Sequence, residues 1–582
     1  MGIKGLFKRL RNSGRTVSVV DRYHARRAGR HTPLVSFTTS PEPRSIGAYA
    51  KGKQLVAGNL QFGGHLVEDL SGSLWTVKSP DIMFEQEIHG SVWLDDLAAV
   101  GDSAARALAQ HWVTDWIGRY GAGRGPGWAP DLTGRRVIRW INHAVFLMNG
   151  QTPENSRKYF ASLAHQTNYL SLRWGATTPG LPRFEALTGL LYAGINLDGM
   201  GHVLEQASAA LDHECSEQLD ADGAIATRNP EELLEIFMLL VWASAALRDA
   251  GHAPTQRHLG SVEKIASALR TLRHADGSLA RFHGGGRGVD GRVDQALAIS
   301  EVRPSPTDGM AMGYARISAA RTTVIADVAK PPEGDISANA HASTLAFELT
   351  SGRRPLIVSC GSGAPFGAEW SRAGRSTPSH STLAIDGVSS SKLSKVDGRE
   401  LLSRVPGQVL VDVGVQDENH RLVGRHTGYV PSFGLTHSRD LTISADGRNV
   451  RGADALEALS EIDRLAFDRH MDRVSSQGVD FSVRFHLHPD VEAELDTEGN
   501  GISLVLKSGE VWAFQAGEGT VMSLDPSIFL EKSRLKPRAT KQIVLSGRVM
   551  EYAALVSWSL FKAQETPSYL RDVGDDLGLT LT

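Results

Sequence analysis

Between residues 94 and 274 apolar side chains recur every three to four positions, and beyond residue 310 they recur every second position. The first rhythm predicts helices over 104–116, 137–148, 159–174, 186–195, 203–219, 230–247 and 258–274, separated by short polar or Gly/Pro breaks, with Asn229 as a cap ahead of Pro230. Successive helices on short loops pack antiparallel. About eight of them without a tight sequence repeat point to a closed (α/α) toroid of helical hairpins rather than an open binding array. The second rhythm predicts strands over 314–328, 343–349, 356–358, 381–385, 408–415, 441–444, 480–488, 502–507, 511–515 and 542–545. Turns such as Asp446-Gly447, Glu498-Gly499 and Ser508-Gly509 separate them, and the expected architecture is a C-terminal antiparallel β-sandwich.

A chain of 582 residues with 41% hydrophobic residues is too long for one core. The change of period places the domains at 1–74 (a basic N-terminal arm and lead-in), 75–310 (toroid) and 311–582 (sandwich). A net charge of −3 gives no polyanion-binding signature, so no nucleic acid is expected as a partner, and a local basic cleft is left open. Met1 to Arg30 carries nine Lys and Arg residues but no apolar run of signal-peptide length, and the chain as written reads as unexported, hence cytoplasmic. No segment has the roughly twenty apolar residues of a membrane span. The two cysteines, Cys215 and Cys360, fall in different predicted domains and do not form a disulfide framework. Eleven Trp residues offer flat faces for sugar rings, although core packing is the commoner use of such residues. The run Gly284-Gly285-Gly286 lacks the Lys-Ser/Thr of a phosphate loop and reads as a loop at the rim of the helical domain.

The densest chemistry lies in Asn339-Ala340-His341 through Leu349, in the strand ending near Ser359-Cys360, and in Arg375 through Thr382. His341 precedes one predicted strand, His380 another, and Cys360 ends a third, so the three could meet on one rim as metal ligands. Strand-end caps are the plainer reading of both histidines. His486 and His488, two apart on one strand face, read as core or rim residues, and Asn142-His143 lies inside an apolar helical block.

These residues resemble the heparinase II/III-like polysaccharide lyases, a family with an α/α toroid ahead of an antiparallel sandwich. The resemblance spans about residues 75 to 560. It is carried by His89-Gly90-Ser91-Val92-Trp93-Leu94, by Arg135-Arg136-Val137-Ile138-Arg139-Trp140-Ile141, and by Asp222-Gly223 ahead of Arg228-Asn229-Pro230. The stretch around His341, Trp370, His380 and Arg484-Phe485-His486-Leu487-His488-Pro489 carries it further. The resemblance implies β-elimination on a uronic-acid polysaccharide, in a cleft between toroid and sandwich. That reaction needs a neutralised C5 carboxylate, a base for the adjacent proton and an acid for the leaving oxygen. The family's Asn-His pair, however, falls on Leu181 and Pro182, its Tyr on Glu232, and the first histidine of its His-x-His-Ala-Asp pattern on Asn339. Its metal-group histidines match His341 and His380, with Ser359-Cys360 at the aspartate position.

The expectation is a lyase on an acidic polysaccharide or oligosaccharide. Arg228, Asn229, Glu232, Asn339 and His341 are its catalytic candidates, and Arg183, Glu185 and Trp370 its substrate-binding candidates. His341, Cys360 and His380 would hold one zinc ion, structural or polarising a carboxylate, and no organic cofactor is expected. The plainer roles are Asn229 as helix cap, Glu231 and Glu232 as first-turn acids, and Arg183 with Glu185 as a solvated pair. The alternatives are a two-carboxylate glycoside hydrolase using Glu185 and Glu232, and a non-catalytic carbohydrate-binding descendant. Periplasmic location is the family-based alternative, and a homodimer is left open.

Overall fold

A computed structural model describes residues 17–566 except His31, Leu34, Thr39, Ser40, Glu498 and Asn500. Lys4, Lys8, Arg9, Arg11 and Arg15 of the basic arm therefore lie outside the described residues, as does Glu498 of one expected turn. The chain packs into two compact units. Among the described residues, one holds 17–220 with Glu235–Glu263; the other holds Ala221–Leu234 with 264–566.

The first unit is helical. Trp93–Val100, Ser103–Tyr120, Pro130–Asn142, Pro153–Arg173, Leu181–Asn196 and Leu204–Gln218 follow one another as the toroid's hairpins. Pro130–Asn142 and Leu181–Asn196 approach closely because glycines face each other. A Cβ on Gly134 would stand 2.3 Å from the Glu185 carbonyl oxygen, and one on Gly189 would stand 2.6 Å from the Gly134 Cα. Most of the tryptophans serve the core: Trp93, Trp112, Trp116, Trp128 and Trp140 are fully buried here. Arg136 is buried with them. Its Nε donates to Gln166 at 2.8 Å, one terminal nitrogen donates to the carbonyls of His89 and Gly127 at 2.9 Å each, and its guanidinium lies 4.0 Å from the Trp116 ring. The His89 and Arg136 segments thus hold the helical core. Buried beside that cation, His89 has its pKa pushed down to about 3.

The second unit is an antiparallel β-sandwich. Its larger sheet runs Val521–Phe529, Arg538–Val549, Val479–Leu487, Arg354–Val358, Phe347–Ser351, Thr322–Asp327, Tyr314–Ala319 and Gly309–Ala311, with Leu383–Ile385 also paired to Val479–Leu487. The facing sheet runs Val409–Gln416, Asn419–Tyr429, Leu435–Ile443, Asn449–Glu457, Ala553–Gln564, Val511–Ala516, Gly501–Val505 and Glu492–Leu495. Trp558 of the second sheet stacks on Phe347 of the first, with ring centres 6.0 Å apart and planes within 2°, and meets Phe485 edge-on at 4.8 Å. Beside this aromatic layer Arg439 ties the sheets. It pairs with buried Asp454 and donates to the carbonyls of Leu345 and Ser381 at 2.8 Å each. That fixes the two loops carrying His341 and His380.

Candidate functional site

The second unit gathers one buried polar cluster, centred on Asp327. This residue ends the strand Thr322–Asp327 and is fully buried. Its carboxylate accepts from Arg228 at 2.6 Å and from the Ser343 hydroxyl at 2.6 Å, with His283 Nε2 3.4 Å away. Burial alone would raise its pKa, but Arg228, His283 and Ser343 outweigh burial and hold the carboxyl well below the usual carboxylate range.

Arg228 sits at φ +52°, a left-handed conformation rare for a side-chain-bearing residue, immediately before the cap Asn229. All five of its donors are occupied. Nε donates to the Met312 carbonyl, one terminal nitrogen to Ala329 and Lys330, and the other to Gly313 and Asp327. Gly313 is required there, since a Cβ would come within 2.8 Å of the Arg228 Nε. Tyr314 closes the ring by donating its hydroxyl hydrogen to the Arg228 carbonyl at 2.5 Å. The expected role of Arg228 as a clamp on a substrate carboxylate is therefore corrected: a guanidinium without a free N–H has nothing left to donate.

The remaining candidates have the following surroundings. Asn229 Oδ1 accepts from the backbone N–H groups of Glu231 and Glu232 at 3.0 and 3.3 Å, which is helix capping. Glu231 is ion-paired with Lys532 at 2.6 Å and accepts from the Gly286 N–H, so the glycine run is pinned by a carboxylate rather than open to a phosphate. Glu232, its pKa raised by burial, accepts from the Thr227 hydroxyl. Asn339 is exposed, and Trp370, about one-third exposed, lies on the short helix Ala368–Gly374.

His341 and His380 do come together, with ring centres 5.0 Å apart and both fully buried. The His341 backbone N–H donates to His283 Nδ1 at 3.1 Å, and His341 Nε2 accepts from the Gly284 N–H at 3.0 Å. Burial, then the neighbouring imidazoles, push His341 well below its ordinary pKa and His380 to about 3, so this is a neutral pair. Cys360 does not join them. Its sulfur lies 3.6 Å from His486 Nδ1; burial opposes ionisation, but His486, Ser527 and Arg281 together outweigh it and lower the thiol pKa. The trio does not fit zinc. The ring lone pair of His341 is engaged by an N–H, the thiol faces His486, and no three His, Cys, Asp or Glu groups converge among the described residues. His486 is held at the core by Ser527 and the Pro378 carbonyl.

In the helical unit the expected solvated pair is two separate pairs, each of a buried glutamate with a half-buried arginine. Arg183 contacts Glu214 at 3.2 Å, and Arg135 Nε contacts Glu185 Oε1 at 2.5 Å. Burial raises the Glu185 pKa to about 7 against the pull of Arg135, and Glu185 Oε2 has no hydrogen-bond partner among the described residues. Sequence reasoning missed Asp327, His283, Tyr314 and Ser343. Phe282-His283 ahead of the glycine run was the available signal.

Comparison with known proteins identifies this scaffold. The family model described as Heparinase II/III-like, C-terminal, matches residues 301–559. FtsZ-localized protein C of Caulobacter vibrioides is 30% identical over 538 residues, covering 90% of this chain and 89% of that protein. The chain belongs to the heparinase II/III-like family. Crystal structures of this toroid-plus-sandwich fold superpose across nearly the whole heparinase II/III-like chain. Heparinase III matches with TM-score 0.68 at 13% identity, covering 95% of this chain and 92% of that one. Heparan sulfate lyase HepC of Pedobacter heparinus matches with TM-score 0.56 at 14% identity, covering 94% and 88%. With these two proteins the likeness is one of fold. Among the described residues no helix is long and apolar enough to cross a membrane.

Proposed function

We propose that this heparinase II/III-like chain has given up elimination and works as a binding protein in company with FtsZ, keeping the lyase scaffold as a carbohydrate-recognising body. The observation that carries the reading is the occupied state of Arg228. The residue best suited to neutralise a uronate carboxylate is closed into a buried structural knot with Asp327, while Leu181, Pro182 and Glu232 stand where the family's Asn-His and Tyr would act. The near end-to-end match to FtsZ-localized protein C supports the cellular setting.

Two measurements test it. Incubation with polyuronides and glycosaminoglycans should yield neither the ultraviolet absorbance of a new C4–C5 double bond nor new reducing ends. Purified chain should co-sediment with FtsZ polymers. Absorbance rising with protein concentration would overturn the first half, and a pellet free of the chain the second.

A second reading, elimination from an acidic polysaccharide, draws on Glu185. A buried carboxyl with a pKa of about 7 and an unpartnered oxygen suits proton transfer. Under that reading the absorbance appears and Glu185→Gln abolishes it. Reducing ends without absorbance would instead mark the hydrolase.

A further inference from the structure

The helix Glu461–Arg473 of the second unit is anchored on one side and bare on the other. Phe467 is buried in the sandwich core, and the backbone of the helix comes so near Gly434 that a Cβ there would stand 2.1 Å from the Asp463 carbonyl oxygen. Ser460 and Asp463 form a capping box at its start. Tyr552 braces its flank, with the ring edge-on to Phe467 at 5.8 Å, Arg464 over the ring at 5.4 Å, and the hydroxyl donating to Asp468 at 3.3 Å. This is a fixed element whose outward face is part of the surface.

That outward face is apolar at its centre. Ile462 is 75% exposed and Leu465 60%, with Leu459 and Tyr552 also exposed beside them. Two charges bracket the stripe. Glu461 and Arg469 each lie four residues from Leu465, on opposite sides, and neither has an ion-pair partner among the described residues. A two-fold axis through Leu465 would lay the same helix of a second copy antiparallel on this one. It would bury both leucines against each other and bring each Glu461 opposite the other copy's Arg469. An apolar stripe flanked by an unpaired acid and an unpaired base at equal distances is complementary to itself.

We propose that this face is a homodimer interface, closed by the antiparallel pairing of two Glu461–Arg473 helices about Leu465. A 13-residue helix is only about 20 Å long, so the contact lies below the standard interface size, and the dimer forms in a concentration-dependent way.

Sedimentation of the full chain from about 1 to 100 µM should show monomer passing to dimer. Leu465→Glu, on an exposed position that leaves the melting temperature unchanged, should weaken the dimer about tenfold or more. Glu461→Arg should weaken it too, and adding Arg469→Glu to that variant should restore it, a rescue that a folding defect would not give. Oxidation should cross-link Leu465→Cys to itself, whereas Asp472→Cys, about 20 Å from its own mate in this pairing, should remain uncross-linked. A monomer at every concentration overturns the proposal. So does a dimer indifferent to Leu465→Glu, a charge swap without rescue, or equal cross-linking at both positions.

Discussion

Asp327→Asn tests the central claim about the second unit, that its lyase-position arginine is locked by a buried ion pair. The substitution keeps shape and volume but removes the charge facing Arg228 at 2.6 Å, where the carboxylate is fully buried and the arginine nearly so. A buried guanidinium left without its counter-charge costs about 3–5 kcal/mol. At about 2 °C per kcal/mol for a unit of this size, the melting temperature of the sandwich transition should fall by about 6–10 °C. Because burial is complete, added salt should change the loss little. The pH dependence has a definite sign. The folded pKa of Asp327 lies below that of an unfolded aspartate, about 3.9, so its stabilisation is present above that pH and is lost as the pH falls below it. The acid limb of the stability curve should therefore flatten in Asp327→Asn. A double-mutant cycle with Arg228→Met, followed by calorimetry or urea unfolding, separates the pair from its surroundings, and the double variant should lose less than the sum of the singles by more than about 1 kcal/mol. A loss under about 1 kcal/mol for Asp327→Asn, or strict additivity, would refute the claim that the pair locks Arg228 and would reopen that side chain as a substrate clamp.

Three further outcomes are expected. Glu185 has its folded pKa raised from 4.5 to about 7, so between those values the native state binds the additional proton and stability falls as pH rises through that window, by about 3 kcal/mol at most. The melting temperature of Glu185→Gln relative to the natural chain should accordingly climb from pH 5 to pH 8, and a flat difference contradicts the burial argument. Gly134→Ala should destabilise the helical unit by about 1–3 kcal/mol, because its Cβ meets helix backbone rather than a movable side chain, and Gly189→Ala should do the same; unfolding curves by circular dichroism would show it. A chelator should leave the melting temperature unshifted and elemental analysis should find less than one zinc per chain, since His341, Cys360 and His380 do not present three lone pairs to one point.

The architecture was readable because burial imposes a period. Helix spans such as Pro230–Asp249 and Gln256–Leu272, and strands such as Gly501–Val505 and Val511–Ala516, each bury a face that the sequence marks at 3.6 or 2 residues. Asn419–Tyr429 and Asn449–Glu457 escaped notice for a physical reason. Their inward positions include His426 and Asp454, which together with His437 of the strand between them, Leu435–Ile443, satisfy one another's buried polar groups and interrupt the apolar alternation. The helix Glu461–Arg473 was hidden in the opposite way, with Phe467 its one fully buried residue and Ile462 and Leu465 facing outward.

The site followed the same logic. Spacing brought His341 and His380 together correctly, but it cannot say whether a polar group faces a ligand or a carbonyl. Arg228 has the chemistry of a carboxylate clamp, and only the arrival of Met312, Gly313, Ala329, Lys330 and Asp327 from distant strands and loops removes it from that role. The loss expected for Asp327→Asn is thus also a measure of how much of the second unit's stability rests on Arg228, a charged side chain whose five N–H groups all find acceptors inside the protein.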